Sequence, residues 1–278
     1  MVASNGSMAT QSMAHAVKAS SSSALGAIQV EGVGKVYPSR RGAASIVAVK
    51  DVSFSVAAGE FVSLVGPSGC GKSTMLMAIA GLTQPSGGRV VIDGQPVTAP
   101  RRSVGVMFQT PELFRWRNVL ENVLLPVDVF GLNRAAYLER ARELLRLAGL
   151  GAFEHAYPQE LSGGMEQRTA LCRVLVADPS IVLMDEPFGA LDEFTRERLN
   201  IELLRIWDAT RKTVVFVTHN IGEAVFLSDR VIVMGTQPGR VLEDVQVPLP
   251  RPRTVESMRE RPYHETLYHI RDLLGLSH

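Results

Sequence analysis

The stretch that decides the fold is VGPSGCGKST, Val65–Thr74, which follows the apolar run FVSL (61–64) and precedes the apolar-periodic MLMAIAGL (75–82). Glycines at Gly66, Gly69 and Gly71 let backbone amides curl around an anion with no Cβ in the way. A helix beginning near Gly71 points its positive dipole end at the same place. Lys72 is placed to reach the outer phosphates of a nucleotide and Ser73 to offer its hydroxyl to magnesium, with Pro67, Ser68, Cys70 and Thr74 completing the loop. The spacing Gly66-x4-Gly71-Lys72-Ser73 is that of a Walker A loop, with the required strand before it and helix after it.

Composition excludes several classes. The 278 residues carry a formal charge of +1 and a sequence pI near 7.9, without the basic field that draws a protein onto nucleic acid or anionic lipid. Only two cysteines occur, Cys70 and Cys172, both inside motif segments, so a disulfide framework or zinc site is not expected. No run approaches the roughly 20 apolar residues that span a bilayer. Residues 1–26, rich in Ser, Ala and Met, read as a disordered tail.

Three continuous apolar runs, FVSLV, SIVLMD and TVVFVT, suit parallel strands buried on both faces. Residues 27–60 alternate as antiparallel strands do, and Asp93-Gly94 marks a hairpin. From about 111 to 176 helical periodicity takes over; in the segment 133–150, Tyr137, Leu138, Ala141, Leu144, Leu145 and Ala148 share one face and Gly149 stops the helix. These patterns predict an α/β protein: a P-loop core carrying an antiparallel β subdomain and a helical subdomain, over residues 27–250. An extension with one more helix is expected over 251–278.

The run Ile181–Glu186 is four apolar residues ending in two carboxylates, as in a Walker B strand. Asp185 is placed to hold magnesium, and Glu186 to accept a proton from water attacking a γ-phosphate. Leu161–Arg168 (LSGGMEQR) opens a helix with Ser162, Gly163 and Gly164, a second anion cradle that a generic P-loop enzyme does not need.

With that second cradle the chain resembles the ATP-binding cassette (ABC) ATPases over nearly all of residues 27–250. The resemblance implies further roles in the family's order: Tyr37 stacking on adenine, Gln109 as the Q-loop residue touching both magnesium and the reaction, Asp192 in the D-loop Ala190-Leu191-Asp192, and His219 as the switch histidine. Two positions depart from the pattern, Asn220 for an aspartate and Glu166 for an arginine. The same resemblance implies ATP and Mg2+ bound between two copies, the Walker A loop of one facing Ser162-Gly163-Gly164 of the other. It also implies integral-membrane permease subunits, a separate solute-binding protein, a peripheral place on the cytoplasmic face of the membrane, and no nucleic acid. The segment PELFRWRNVLENV (111–123), with Leu113, Phe114 and Trp116, is expected to meet the permease, the alternative being that its aromatic residues simply pack the helical insert. The last third resembles the nitrate/sulfonate/taurine importers, which implies a small anion as cargo; thiamine-precursor pyrimidines and aromatic acids remain open. A soluble ABC ATPase of repair or translation and a P-loop regulator without turnover are competing readings, the former lacking a long coiled-coil insert or tandem cassettes, the latter opposed by an intact Glu186 and His219.

Overall fold

The computed structural model describes residues 25–38 and 45–276; most of the 1–26 tail lies outside them. Two sheets enclose one helix. Strands β1 (Ile28–Tyr37), β2 (Ile46–Val56), β4 (Gly87–Ile92) and β5 (Gln95–Pro96) form an antiparallel sheet in the order β2-β1-β4-β5. The turn between β4 and β5 is Asp93-Gly94, with φ of 51° and 75°, the two positive values that a tight hairpin turn demands. The second sheet runs β10-β9-β3-β8-β7-β6, built from β3 (Phe61–Val65), β6 (Val104–Met107), β7 (Ile181–Asp185), β8 (Thr213–Thr218), β9 (Arg230–Gly235) and β10 (Arg240–Gln246). Its five strands from β9 to β6 are parallel, and β10 closes the edge antiparallel to β9.

The parallel strands are buried on both faces, and their side chains sort by the strand period of two. Val62, Leu64, Ile181, Leu183, Val215, Val217, Ile232 and Met234 face a core shared with helix α1 (Lys72–Ile79) and the antiparallel sheet. Phe61, Val65, Val182, Met184, Val214, Phe216, Val231 and Val233 face the opposite core, shared with the remaining helices. The runs are continuous in sequence because each alternate residue has its own apolar layer to fill.

The helical segment between β6 and β7 contains α2 (Val119–Val123), α3 (Leu125–Val129), α4 (Arg134–Leu147) and α5 (Gly163–Val176). On α4, Ala141, Leu144 and Leu145 are buried while Tyr137 and Leu138 sit at the edge of the core, and Gly149 turns the chain with φ 67°. After β7 come α6 (Glu193–Thr210), α7 (Ile221–Leu227) and α8 (Arg261–Leu273). Helix α8 lies against α7 and β10. Two cationic side chains in the PLPRPR segment tie it to the core: Arg253 donates to the carbonyls of Val225, Phe226, Ser228 and Leu249, and Arg251 pairs with Asp229 at 2.7 Å. Both cysteines are buried and free, and burial pushes the Cys172 thiol up to about 12.

Phe216 at the centre of β8 is fully buried between Phe61 and Phe188, with ring centroids 5.9 and 6.2 Å away. Removing it leaves a cavity under the strand that carries residues of the site, so Phe216→Ala is expected to cost about 3–5 kcal/mol of unfolding free energy. Urea unfolding followed by circular dichroism checks this, and a loss below about 1 kcal/mol would contradict the packing.

Candidate functional site

The carboxyl ends of parallel strands are where open α/β sheets bind ligands, and four such ends meet here. β3 runs into the loop 66–71, β7 ends in Asp185-Glu186, β8 leads into His219, and β6 leads into Phe108-Gln109. The loop reverses sharply into α1. Gly71 stands at the helix N-cap with φ 94°, and a Cβ there would lie 2.2 Å from Val49 Cγ1. Gly66 is closed in from the other side, where a Cβ would meet the Met234 carbonyl at 2.3 Å. Only glycine fits at either position, so the loop backbone lies directly on β2 and β9.

Lys72 is nearly buried, and its ammonium donates to the carbonyls of Gly66 at 2.8 Å and Pro67 at 3.1 Å. The Cys70 thiol lies 3.9 Å from the same nitrogen; burial raises its pKa and the Lys72 charge opposes the rise. The Ser73 hydroxyl donates to Asp185 Oδ1 at 2.9 Å. Burial, reinforced by the Glu186 charge, raises the Asp185 pKa against the pull of Ser73 and Lys72. An open pocket of about 220 Å³ is lined by Ala48, Ser68, Gly69, Gly71, Lys72, Ser73, Thr74 and Glu186.

Glu186 follows the strand with φ 45°, a left-handed conformation that a non-glycine residue adopts at some cost. Its N–H is satisfied by the Val217 carbonyl at 2.9 Å, and its side chain leaves the sheet to meet His219, with Nδ1 3.0 Å from Oε2. Gln109 approaches the same carboxylate across Gly189, where a Cβ would lie 3.5 Å from both Gln109 Nε2 and Glu186 Oε2. The Gln109 carbonyl accepts from Gln167 Nε2 at 2.9 Å, so the segment after β6 is fastened to α5. Sequence reasoning misses that bond, because Gln167 stands there only as a letter of the LSGGMEQR motif.

The Ser73 hydroxyl and the Asp185 carboxylate are hard oxygen donors of the type magnesium takes. No group of three or more His, Cys, Asp or Glu able to hold a metal occurs among the described residues. So small a donor set fits an ion that fills its shell with phosphate oxygens and water rather than an all-protein cage.

The second cradle does not line this pocket. Ser162 caps α5, accepting from the Met165 N–H at 3.4 Å, and Asp192 caps α6, accepting from the Thr195 N–H at 3.0 Å, a bond that lowers the Asp192 pKa. The two caps pack on each other: a Cβ at Gly163 would lie 3.4 Å from Leu191 Cδ2, and one at Gly164 3.2 Å from Thr195 Cγ2. Tyr37, at the end of β1, keeps a partly exposed ring with Lys35 Nζ 5.3 Å from its centroid. The structure therefore joins Lys72, Ser73, Asp185, Glu186, His219 and Gln109 around one loop, and gathers Ser162, Gly163, Gly164 and Asp192 in a separate cluster.

Residues 49–189, which hold the Walker A loop, the signature and the Walker B strand, match the family described as ABC transporter. The chain belongs to that family. It is an ATP-binding, ATP-hydrolysing cassette with the family's fold. An ABC transporter ATP-binding protein of Methanocaldococcus jannaschii is 46% identical over 225 residues, 81% of this chain and 84% of that one. The aliphatic sulfonates import ATP-binding protein SsuB of Bacillus cereus is 40% identical, covering 84% of this chain and 92% of its own length. The taurine import ATP-binding protein TauB of Burkholderia pseudomallei is 48% identical, covering 76% and 80%. A dimeric bacterial ABC transporter cassette superposes with a TM-score of 0.69 at 36% identity, over 79% of this chain and 98% of that one. A dimeric post-hydrolysis form of that cassette, bound to ADP and Pi, superposes equally well.

Proposed function

We propose that this cassette is the energy-coupling subunit of an importer for a small anionic solute, and that it hydrolyses ATP between two copies of itself. The dimeric reading is carried by one observation: the chain has two anion cradles, one lining the nucleotide pocket and the other outside it. In a two-fold dimer each pocket receives Ser162, Gly163 and Gly164 from the partner copy, and ATP joins the two. The dimeric form of a cassette 36% identical to this chain supports that arrangement.

Within each site, Lys72 and the loop amides hold the phosphates, and Tyr37 offers its ring to the adenine. Ser73, Asp185 and Gln109 would hold magnesium, which when bound offsets phosphate charge. Glu186 takes the proton from the attacking water; His219, in contact with its Oε2, keeps that carboxylate turned toward the phosphate end of the pocket. Asp192 fixes the start of α6 beside the signature cluster.

Among the described residues no helix is long and apolar enough to cross a membrane. The importer reading, which the relatives named for sulfonate and taurine import support, gives this cassette permease subunits as partners and a place at their cytoplasmic face. The surface proposed for that contact is Phe114-Trp116. Their rings stack 4.8 Å apart, Trp116 is 74% exposed, and the pair sits a few residues from Gln109. Solute enters through the permease from a solute-binding protein and does not touch this chain. The relatives named for aliphatic sulfonates and taurine, at 40% and 48% identity, support a sulfonate-type cargo.

Loss of a general base lowers turnover by about 10²–10⁴. Glu186→Gln is expected to reduce phosphate release at saturating ATP by that factor while a fluorescent ATP analogue still binds; wild-type turnover would remove Glu186 from this role. For the cargo, calorimetry of the cognate solute-binding protein is expected to show tight binding of taurine or an alkanesulfonate. Tight binding of a pyrimidine, an aromatic acid or a sugar in their place would overturn the cargo and leave the ATPase reading intact.

A further inference from the structure

His219 stands between two residues whose polar groups are tied into one ring. The N–H of Asn220 donates to Thr218 Oγ1 at 3.0 Å, the Thr218 hydroxyl donates to Glu223 Oε2 at 2.5 Å, and the N–H of Glu223 donates to Asn220 Oδ1 at 3.1 Å. The sequence Asn220-Ile221-Gly222-Glu223 has the spacing of a capping box, in which the glutamate returns to the N–H of its own cap residue. Here it does not. Thr218 has taken the Asn220 N–H, and Glu223 reaches further back, past the cap, to the last residue of β8.

Stability alone does not account for a carboxylate at this position. Glu223 is more than nine-tenths buried, and burial raises its pKa against the opposing pull of Thr218 and Asn200. Its second oxygen, Oε1, is buried without a hydrogen-bond partner, as is Asn200 Oδ1 beside it. A buried polar atom left unpaired opposes folding, and such exceptions in a native structure call for a reason. From the outer side α8 braces the same turn: the Tyr263 hydroxyl donates to the Gly222 carbonyl at 3.3 Å, and a Cβ on Gly222 would lie 2.8 Å from that hydroxyl.

We propose that Glu223 is a positioning residue for ATP hydrolysis, holding the backbone on both sides of His219 so that its imidazole stays against Glu186. This rests on the proposed roles of His219 and Glu186 in hydrolysis. Glu223 never meets the nucleotide pocket; it acts through Thr218 and Asn220. The imidazole itself is 57% exposed and pairs with Glu186, so its direction is set by its backbone far more than by packing.

The test is a set of steady-state ATPase measurements on the full chain. Glu223→Ala is expected to lower kcat by about 10- to 100-fold, the size of effect that a small misplacement produces, with KM for ATP changed by no more than about twofold. Glu223→Gln keeps an acceptor for the Thr218 hydroxyl and is expected to restore most of the turnover. Thr218→Val, which keeps the shape of the strand end and removes the hydroxyl, is expected to reproduce the loss even if Glu223→Ala folds poorly. In a His219→Ala background, Glu223→Ala should cost nothing more. The His219 imidazole resonance, assigned by its absence in His219→Ala, should move in Glu223→Ala and return in Glu223→Gln. An equal fall in kcat in the two backgrounds, or an unmoved His219 resonance in Glu223→Ala and Thr218→Val, would overturn the proposal while leaving His219 in its role. Wild-type turnover of His219→Ala itself would instead refute the role of His219, and this proposal with it.

Discussion

Lys72 donates to the carbonyls of Gly66 and Pro67, and this clasp holds the loop 66–71 in a tight reversal between β3 and α1. The reversal turns the loop amides inward and sets α1 with its N-terminus toward the pocket, where its dipole favours an anion. Tight closure demands glycine where the loop lies on its neighbours, at Gly66 against the Met234 carbonyl and at Gly71 against Val49. It also demands that α1 be held firmly, which the structure does by burying Met75, Leu76 and Ile79 between the two sheets. The antiparallel sheet therefore has a physical purpose beyond its own strands: it is the lid that keeps α1 on the parallel core.

The same geometry explains why residues from such distant parts of the chain gather at one edge of the sheet. Parallel strands in register bring their carboxyl ends to one edge, and β3, β7 and β8 deliver Ser73, Asp185-Glu186 and His219 to within hydrogen-bonding distance of one another in pairs. Nothing comparable brings the signature cluster there. Ser162, Gly163, Gly164 and Asp192 sit at the N-termini of α5 and α6, packed on each other and outside the pocket. The hydrogen bond from Gln167 to Gln109 keeps that cluster and the pocket mechanically joined.

Legibility in the sequence depends on whether a feature is local. VGPSGCGKST, IVLMDE and LSGG are each a few residues whose spacing alone encodes a strand end, a reversal or a helix start, and the two-sided burial of β3, β7 and β8 is written in their unbroken apolar runs. Strand order is not local: β3 ends at Val65 yet lies between β8, which begins at Thr213, and β9, and no pattern within a strand names its neighbour. The RVIVMG strand β9 is hard to read for a related reason, its flanks carrying no motif. Arg253 looks in sequence like a solvated charge in a proline-rich break, yet it is buried among carbonyls near the end of α7. The Glu223 ring has a visible signal in the Asn220-x-x-Glu223 spacing, but the diversion to Thr218 depends on how β8 ends and emerges only in three dimensions.

If one functional site is divided between two copies of the chain, mixing two defective variants tests that division most directly. Lys72→Ala removes the lysine proposed to hold phosphate and Ser162→Arg blocks the second cradle, so each variant alone should fail to form an ATP-dependent dimer in light scattering. A mixed dimer contains one site with both defects and one site with neither. The mixture, and neither variant alone, is therefore expected to yield an ATP-dependent dimer carrying one nucleotide. A mixture that stays monomeric while each variant remains folded would contradict the division, because the two cradles would then not meet across copies.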